Sequence, residues 1–185
     1  MTTQELVEKC AEGDAQAFDF LVERYQSKII NIAYGMLQDK EDAYDVAQEV
    51  FIKLYRKIGS FTGEASLDTW IHRVTVNASL DALRKRGRRV QTVPLAVEGE
   101  DAQTVELPIA DDSAAPEKVV LQNERRRMLL DAIERLSPKY RSVLVLREFE
   151  DLDYEQIASA LGISVGTVKS RLNRAREKLR NLLEK

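Results

Sequence analysis

The stretch 153-DYEQIASALGISVGTVKSRLNRAREKLRNLL-183 decides how this chain is read. Asp153-Tyr154-Glu155-Gln156 has the form of a capping box and starts a short helix that Gly162 closes. Ser164 then caps a second, longer helix. A short helix, a tight glycine-containing turn and a second helix are the proportions of a helix-turn-helix. On the second helix Val168, Leu172, Ala175, Leu179 and Leu182 recur at helical spacing and form a buried stripe. Its other face carries Thr167, Lys169, Ser170, Arg171, Asn173, Arg174 and Arg176, and residues 165–185 hold seven Lys and Arg against two Glu. In this geometry the start of the second helix enters the major groove, where such side chains read base edges or grip phosphates. An ordinary amphipathic helix with a solvated basic face would look similar. The coincidence of cap, turn and preceding helix favours DNA binding.

Working back along the chain, Ser137-Pro138 marks another helix start, continuing to Phe149, and Pro116 a further one, continuing to Leu136. Residues 88–115 differ from the rest: Pro94, Gly99 and Pro108 interrupt an acidic run with little helical period. They suggest a linker between two domains. Upstream, Gly13-Asp14 ends a first helix and caps a second over 15–37, with Phe18, Leu21, Tyr25, Ile29, Ile32 and Met36 on one face. Asp39 caps a third helix, with Ala43, Ala47, Val50, Phe51, Leu54 and Ile58 inward. Residues 59–65 read as a loop. A fourth helix runs from Leu67 and is expected to stop at Gly87, with Leu67, Ile71, Val74, Ala78 and Ala82 as its core face. The expected fold is all-α: two small helical domains, 1–90 and 116–185, joined by a flexible acidic linker over 91–115.

Composition agrees. The chain has 185 residues, 44% hydrophobic and 32% charged, with only 8 Gly and 4 Pro, as suits a helical globular protein. A net charge of -3 conceals an asymmetry. Residues 91–120 hold one Lys against seven acids, while residues 121–185 hold 14 basic against 10 acidic side chains. A basic C-terminal part suggests a polyanionic partner. One cysteine, Cys10, excludes an internal disulfide and reads as a small apolar helix residue. The start Met1-Thr2-Thr3-Gln4-Glu5 lacks the basic and apolar run of a signal peptide, and no stretch is apolar enough to span a membrane, so a cytoplasmic location is expected. A single histidine, His72, with no phosphate loop, nucleophile elbow or zinc spacing, disfavours an enzyme, and no cofactor or metal is expected.

The fourth helix carries a second distinctive face. Trp70, Arg73 and Asn77 share a narrow arc, preceded by the polar loop with Gly63 and Ser66 and followed by Arg84, Lys85, Arg86, Arg88 and Arg89. A stacking ring, an amide and a basic track suit an unstacked base with its flanking phosphates. The alternative has Trp70 as core, Asn77 as a solvated polar residue and the arginines as a helix-terminal charge run.

Three segments carry a family resemblance. Asp45-Val46-Ala47-Gln48-Glu49-Val50-Phe51, Phe61-Thr62-Gly63 and Thr69-Trp70-Ile71-His72-Arg73-Val74-Thr75-Val76-Asn77 resemble conserved region two of the extracytoplasmic-function sigma factors of the sigma-70 family. Val165-Gly166-Thr167-Val168-Lys169-Ser170-Arg171-Leu172-Asn173-Arg174-Ala175-Arg176 resembles their region four, and the sigma-E-like envelope-stress subgroup is the nearest in pattern. The resemblance implies a transcription initiation factor. Asp45, Gln48, Glu49 and Phe51 fall in the segment that docks on the beta-prime clamp helices of RNA polymerase, although Phe51 also belongs to the apolar stripe. Gly63, Ser66, Trp70, Arg73, Asn77, Arg84, Lys85 and Arg86 fall in the part of the family that handles the melted minus-10 element. Thr167, Lys169, Ser170, Asn173 and Arg174 fall where the family reads the minus-35 element, with Arg171 and Arg176 as backbone contacts. Residues 137–152 include the surface expected to meet the beta flap, the acidic linker is expected to thread the active-site cleft, and an anti-sigma partner is expected. Asn173 and Lys169 depart from the subgroup, which often has an aromatic residue and arginine there, so its promoter preference does not carry over. A stand-alone helix-turn-helix regulator is the alternative function; the Trp70–Asn77 face argues against it.

Overall fold

The computed structural model describes residues 2–92 and 116–184, with side chains described for 2–87 and 124–184. Within these residues the chain forms eight α-helices and no strand: α1 (Thr3–Ala11), α2 (Ala15–Leu37), α3 (Lys40–Lys57), α4 (Leu67–Thr92), α5 (Pro116–Glu134), α6 (Pro138–Glu148), α7 (Tyr154–Leu161) and α8 (Val165–Leu183). The segment expected to be the linker falls mostly outside the described residues.

The caps explain the boundaries. Thr2 and Glu5 form a reciprocal capping box on α1, and Asp14 Oδ1 accepts from Gln16 and Ala17 at the start of α2. Gln38 ends α2 in the left-handed region, at φ 56°. Asp39 Oδ1 accepts from Asp42 N–H one residue later, so α2 turns into α3 with almost no connection. Ile58–Ser60 forms a 3-10 turn that takes in the end expected of the third helix and the first two residues of the expected loop. The fourth helix does not stop at Gly87 but runs on to Thr92. Gly87 is exposed, and a Cβ there would meet nothing. A lone glycine weakens a helix by about 1 kcal/mol, which does not terminate it.

Helices α1 to α4 pack as one bundle, with Leu21, Tyr25, Ile29, Ile32, Met36, Val50, Leu54 and Ile71 inside. Helices α5 to α8 form the second. The two share a core: Val143, Val145, Leu146, Ile157 and Val168 belong to the same buried cluster as the N-terminal bundle. α6 packs on α2, and α7 on α4. Tyr140 to Leu146 are therefore buried without a break, because α6 has neighbours on every side.

Gly35 shows how close the domains lie. A Cβ there would fall 2.8 Å from the Phe149 ring and 2.9 Å from Val145 Cγ1. Only glycine permits α2 and α6 to approach in this way.

Candidate nucleic-acid interface

The C-terminal face is built from its caps upward. Asp153 Oδ1 accepts from Gln156 N–H at 2.8 Å, and Gln156 Oε1 accepts from Asp153 N–H at 2.9 Å. Gly162, at φ 65°, turns the chain from α7 into α8, and Ser164 Oγ accepts from Thr167 N–H at 3.1 Å. Val168, Leu172 and Ala175 anchor α8 in the core. Anchoring that stripe turns Lys169, Ser170, Asn173, Arg174 and Arg176 outward, all exposed.

Not every expected reader is equally free. The Thr167 hydroxyl is engaged with Ser164 at 2.8 Å, and the Ser170 hydroxyl donates to the Thr167 carbonyl at 3.0 Å. Arg176 pairs with Glu148 at 2.9 Å. Lys169 lies 5.8 Å from the Tyr154 ring centroid. Arg171 is half-buried and lines a crevice shared with α4. Arg174 hydrogen-bonds the Tyr140 hydroxyl, which holds that phenol below its ordinary value.

On the N-terminal bundle Trp70 is half-buried, 5.3 Å from the Phe61 ring, while Arg73 and Asn77 are exposed one and two turns further on. Gly63 is exposed with φ 73°. Ser66 Oγ accepts from Thr69 N–H at 3.1 Å and so caps α4. The basic track divides. Arg84 is exposed and bonded to Asp81 at 2.6 Å, and Lys85 is exposed. Arg86 turns back to the end of α2, donating to the Leu37 carbonyl at 3.4 Å. The side chains of Arg88 and Arg89 lie outside the described residues. The second domain stands beside this face: Thr69, Trp70 and Arg73 share a crevice of about 130 Å3 with Ser159 of α7.

On α3, Asp45 and Gln48 are exposed and Glu49 pairs with Lys53 at 2.7 Å. Phe51 is half-buried against the core. The structure adds Tyr44, Ile52 and Tyr55, all large, apolar and around half exposed, running along the same helix. Phe20 of α2 is also exposed. An apolar stripe on an otherwise wet surface marks a contact surface. The recurrence of Tyr44, Gln48, Ile52 and Tyr55 at steps of three and four was visible in the sequence, but the inward stripe masked it.

Where the domains meet, His72 and Glu150 face each other at 3.9 Å, both side chains nearly enclosed. Burial pushes Glu150 up to about 7, with Asp151 and Asp68 acting the same way and Lys28 against. Burial and the Lys28 charge hold His72 below its ordinary value. Both groups thus favour the neutral form here. Among the described residues no group of His, Cys, Asp and Glu could hold a metal ion, and no helix is long and apolar enough to cross a membrane.

The Sigma-70 region 2 family matches residues 21–89, and the Sigma-70 region 4 family matches residues 126–179. The RNA polymerase sigma-H factor of Pseudomonas aeruginosa is 41% identical over 98% of this chain and 93% of its own. The chain is an extracytoplasmic-function sigma factor of the sigma-70 family. The sigma-E factor of Haemophilus influenzae is similar too, 38% identical over the whole of this sigma factor and 96% of its own length. Among solved structures, the fold matches CnrH in complex with the cytosolic domain of CnrY, with TM-score 0.69, 22% identity and coverage of 98% and 97%. It also matches the sigma factor RpoE bound to the anti-sigma factor NepR from Bartonella quintana, with TM-score 0.67, 25% identity and coverage of 92% and 98%.

Proposed function

We propose that this sigma factor directs RNA polymerase core to its promoters through three surfaces, without catalysing a reaction itself. Residues 1–90 form the polymerase- and minus-10-binding domain, 91–115 the acidic linker, and 116–185 the minus-35 domain. Asp45, Gln48 and Glu49, with the apolar stripe of Tyr44, Ile52 and Tyr55, dock on the beta-prime clamp helices; residues 137–152 meet the beta flap. Lys169, Asn173 and Arg174 read the minus-35 duplex, with Arg176 on its phosphates. Trp70, Arg73 and Asn77 hold melted minus-10 bases. Ser66 caps α4, and the Thr167 hydroxyl braces the Ser164 cap of α8.

The observation that carries this reading is the arc Trp70–Arg73–Asn77, a half-buried ring beside an exposed guanidinium and amide. Stacking on an aromatic ring stabilises a base by about 1–3 kcal/mol and is available only once the base has left the duplex. Binding melted bases draws the closed complex toward the open one. Neither domain need bind tightly alone, because polymerase joins them and raises their effective concentration. The acidic linker occupies a channel shaped for nucleic acid and yields to the transcript. An anti-sigma partner and a cytoplasmic site of action accompany this role.

In-vitro transcription with bacterial core polymerase, this protein and a library of random promoters tests it. Protein-dependent transcripts sharing a two-part upstream motif are expected. Absence of transcripts, alongside tight duplex binding by the protein alone, would establish a stand-alone regulator instead.

A further inference from the structure

Helices α4, α6, α7 and α8 meet around a crevice of about 400 Å3. That is room for a small molecule. Three cations reach it from three elements: Arg84 of α4, Lys139 of α6 and Arg171 of α8. None of the residues lining it is acidic. Arg84 is partly balanced by Asp81. The start of α6 adds to the positive field. Ser137 makes no side-chain cap bond there, and Pro138 stands at the first turn, beside Lys139 on the crevice wall. Asn77 and Ser142 supply an amide and a hydroxyl. The remaining wall is apolar, with Leu83 and Leu161 on opposite domains.

Converging cations repel one another unless an anion stands between them, and guanidinium groups match phosphate oxygens in bidentate geometry. An apolar wall beside them suits a ring. We propose that this crevice binds a nucleoside polyphosphate, its phosphates between Arg84, Lys139 and Arg171 and its base against Leu83 and Leu161. The site is complete only while the domains are packed, so the ligand stabilises that arrangement. One consequence rests on the function proposed above: Asn77 cannot serve promoter DNA and the nucleotide together. Each then weakens the other's binding by the same factor.

Isothermal titration of the full-length protein with ATP, and separately with tripolyphosphate, tests the site without polymerase or promoter. One ATP per chain is expected, bound more tightly than tripolyphosphate. Lys139→Ala and Arg171→Ala should each weaken ATP about tenfold or more, the scale of one charge-assisted bond. Lys85→Ala, on the same helix but outside the crevice, should leave ATP affinity unchanged. Gly35→Ala places a methyl against Phe149 and pries the walls apart, so it too should weaken ATP. Circular dichroism confirms that each variant is folded. No ATP binding, tripolyphosphate as tight as ATP, an equal loss with Lys85→Ala, or full affinity in Gly35→Ala would each overturn the site. Failure here leaves the transcription assay's outcome untouched, and the reverse holds.

Discussion

The guanidinium of Arg141, on α6, crosses the domain boundary and donates to the main-chain carbonyl of Met36 at the end of α2. The same side chain donates to the carbonyls of Glu134 and, at 3.1 Å, Leu136, at the end of α5. It is 5% exposed. One buried group thus satisfies terminal carbonyls of two helices from two domains.

Arg141→Ala should therefore destabilise the fold by about 2–4 kcal/mol, since it strands buried acceptors. Arg141→Lys should recover less than half of this, because one ammonium cannot replace the planar fork. Urea unfolding of the three proteins checks both. Equal stability of the lysine variant and the native protein would show that charge alone matters.

Glu150 and His72 make opposite contributions to stability as pH changes. The carboxyl is raised from 4.5 to about 7 on folding, so its stabilisation is complete below pH 4.5 and lost as pH rises to about 7. The imidazole is depressed from 6.5, so its contribution is present above pH 6.5 and lost as pH falls. Wherever Glu150 is protonated and His72 neutral in the fold, unfolding moves a proton from the carboxyl to the imidazole, so the two slopes oppose each other. His72→Gln should remove the opposing slope and unmask the carboxyl: the variant's stability should fall by roughly 2 kcal/mol between pH 5 and 7, more steeply than that of the native protein. Urea midpoints at the two pH values decide it; parallel behaviour of variant and native protein would refute the pairing.

Asp153→Ala should lower stability by about 1 kcal/mol through loss of the box with Gln156, and loosen the helix on which α8 rests. A shift of the thermal midpoint together with weaker minus-35 duplex binding is the expected result. Stability loss without any binding change would mean that α8 holds its pose alone.

Three substitutions separate the DNA surfaces. Asn77→Ala should slow open-complex formation by polymerase while leaving the initial closed complex intact. Lys169→Ala should reduce discrimination at the minus-35 element by about 1–3 kcal/mol. Arg176→Ala should weaken binding across sequences and lower the salt slope by about 1. Permanganate footprinting and salt-dependent binding read these out. Unchanged opening by Asn77→Ala would remove the base-capturing role from that face.

The helices were legible because their ends are written in single residues: Asp14, Asp39, Asp153 and Ser164 all accept the expected cap bonds. Spacing also put Arg73 and Asn77 on one arc of α4 and Lys169, Asn173 and Arg176 on one face of α8, all of them exposed. What spacing could not show was the packing of one domain on the other. Val145 reads as ordinary core of its own domain, and nothing local says that it also meets Gly35 of α2. On α4, His72, Thr75, Val76 and Ser79 are buried beside the predicted stripe, a second covered face that spacing does not mark. Thr75 and Ser79 hide there by donating to Ile71 and Thr75 carbonyls. The reach of Arg86 to the Leu37 carbonyl depends on where α2 ends in space, which no local pattern gives.

The unbroken burial of α6 has a thermal consequence. Parting the domains would wet Val145, Leu146 and Phe149, and hydrating apolar surface raises heat capacity. An attraction of that kind weakens on cooling, while the polar bonds at Arg141 do not follow it. The hold of one domain on the other is thus a cold-sensitive contact.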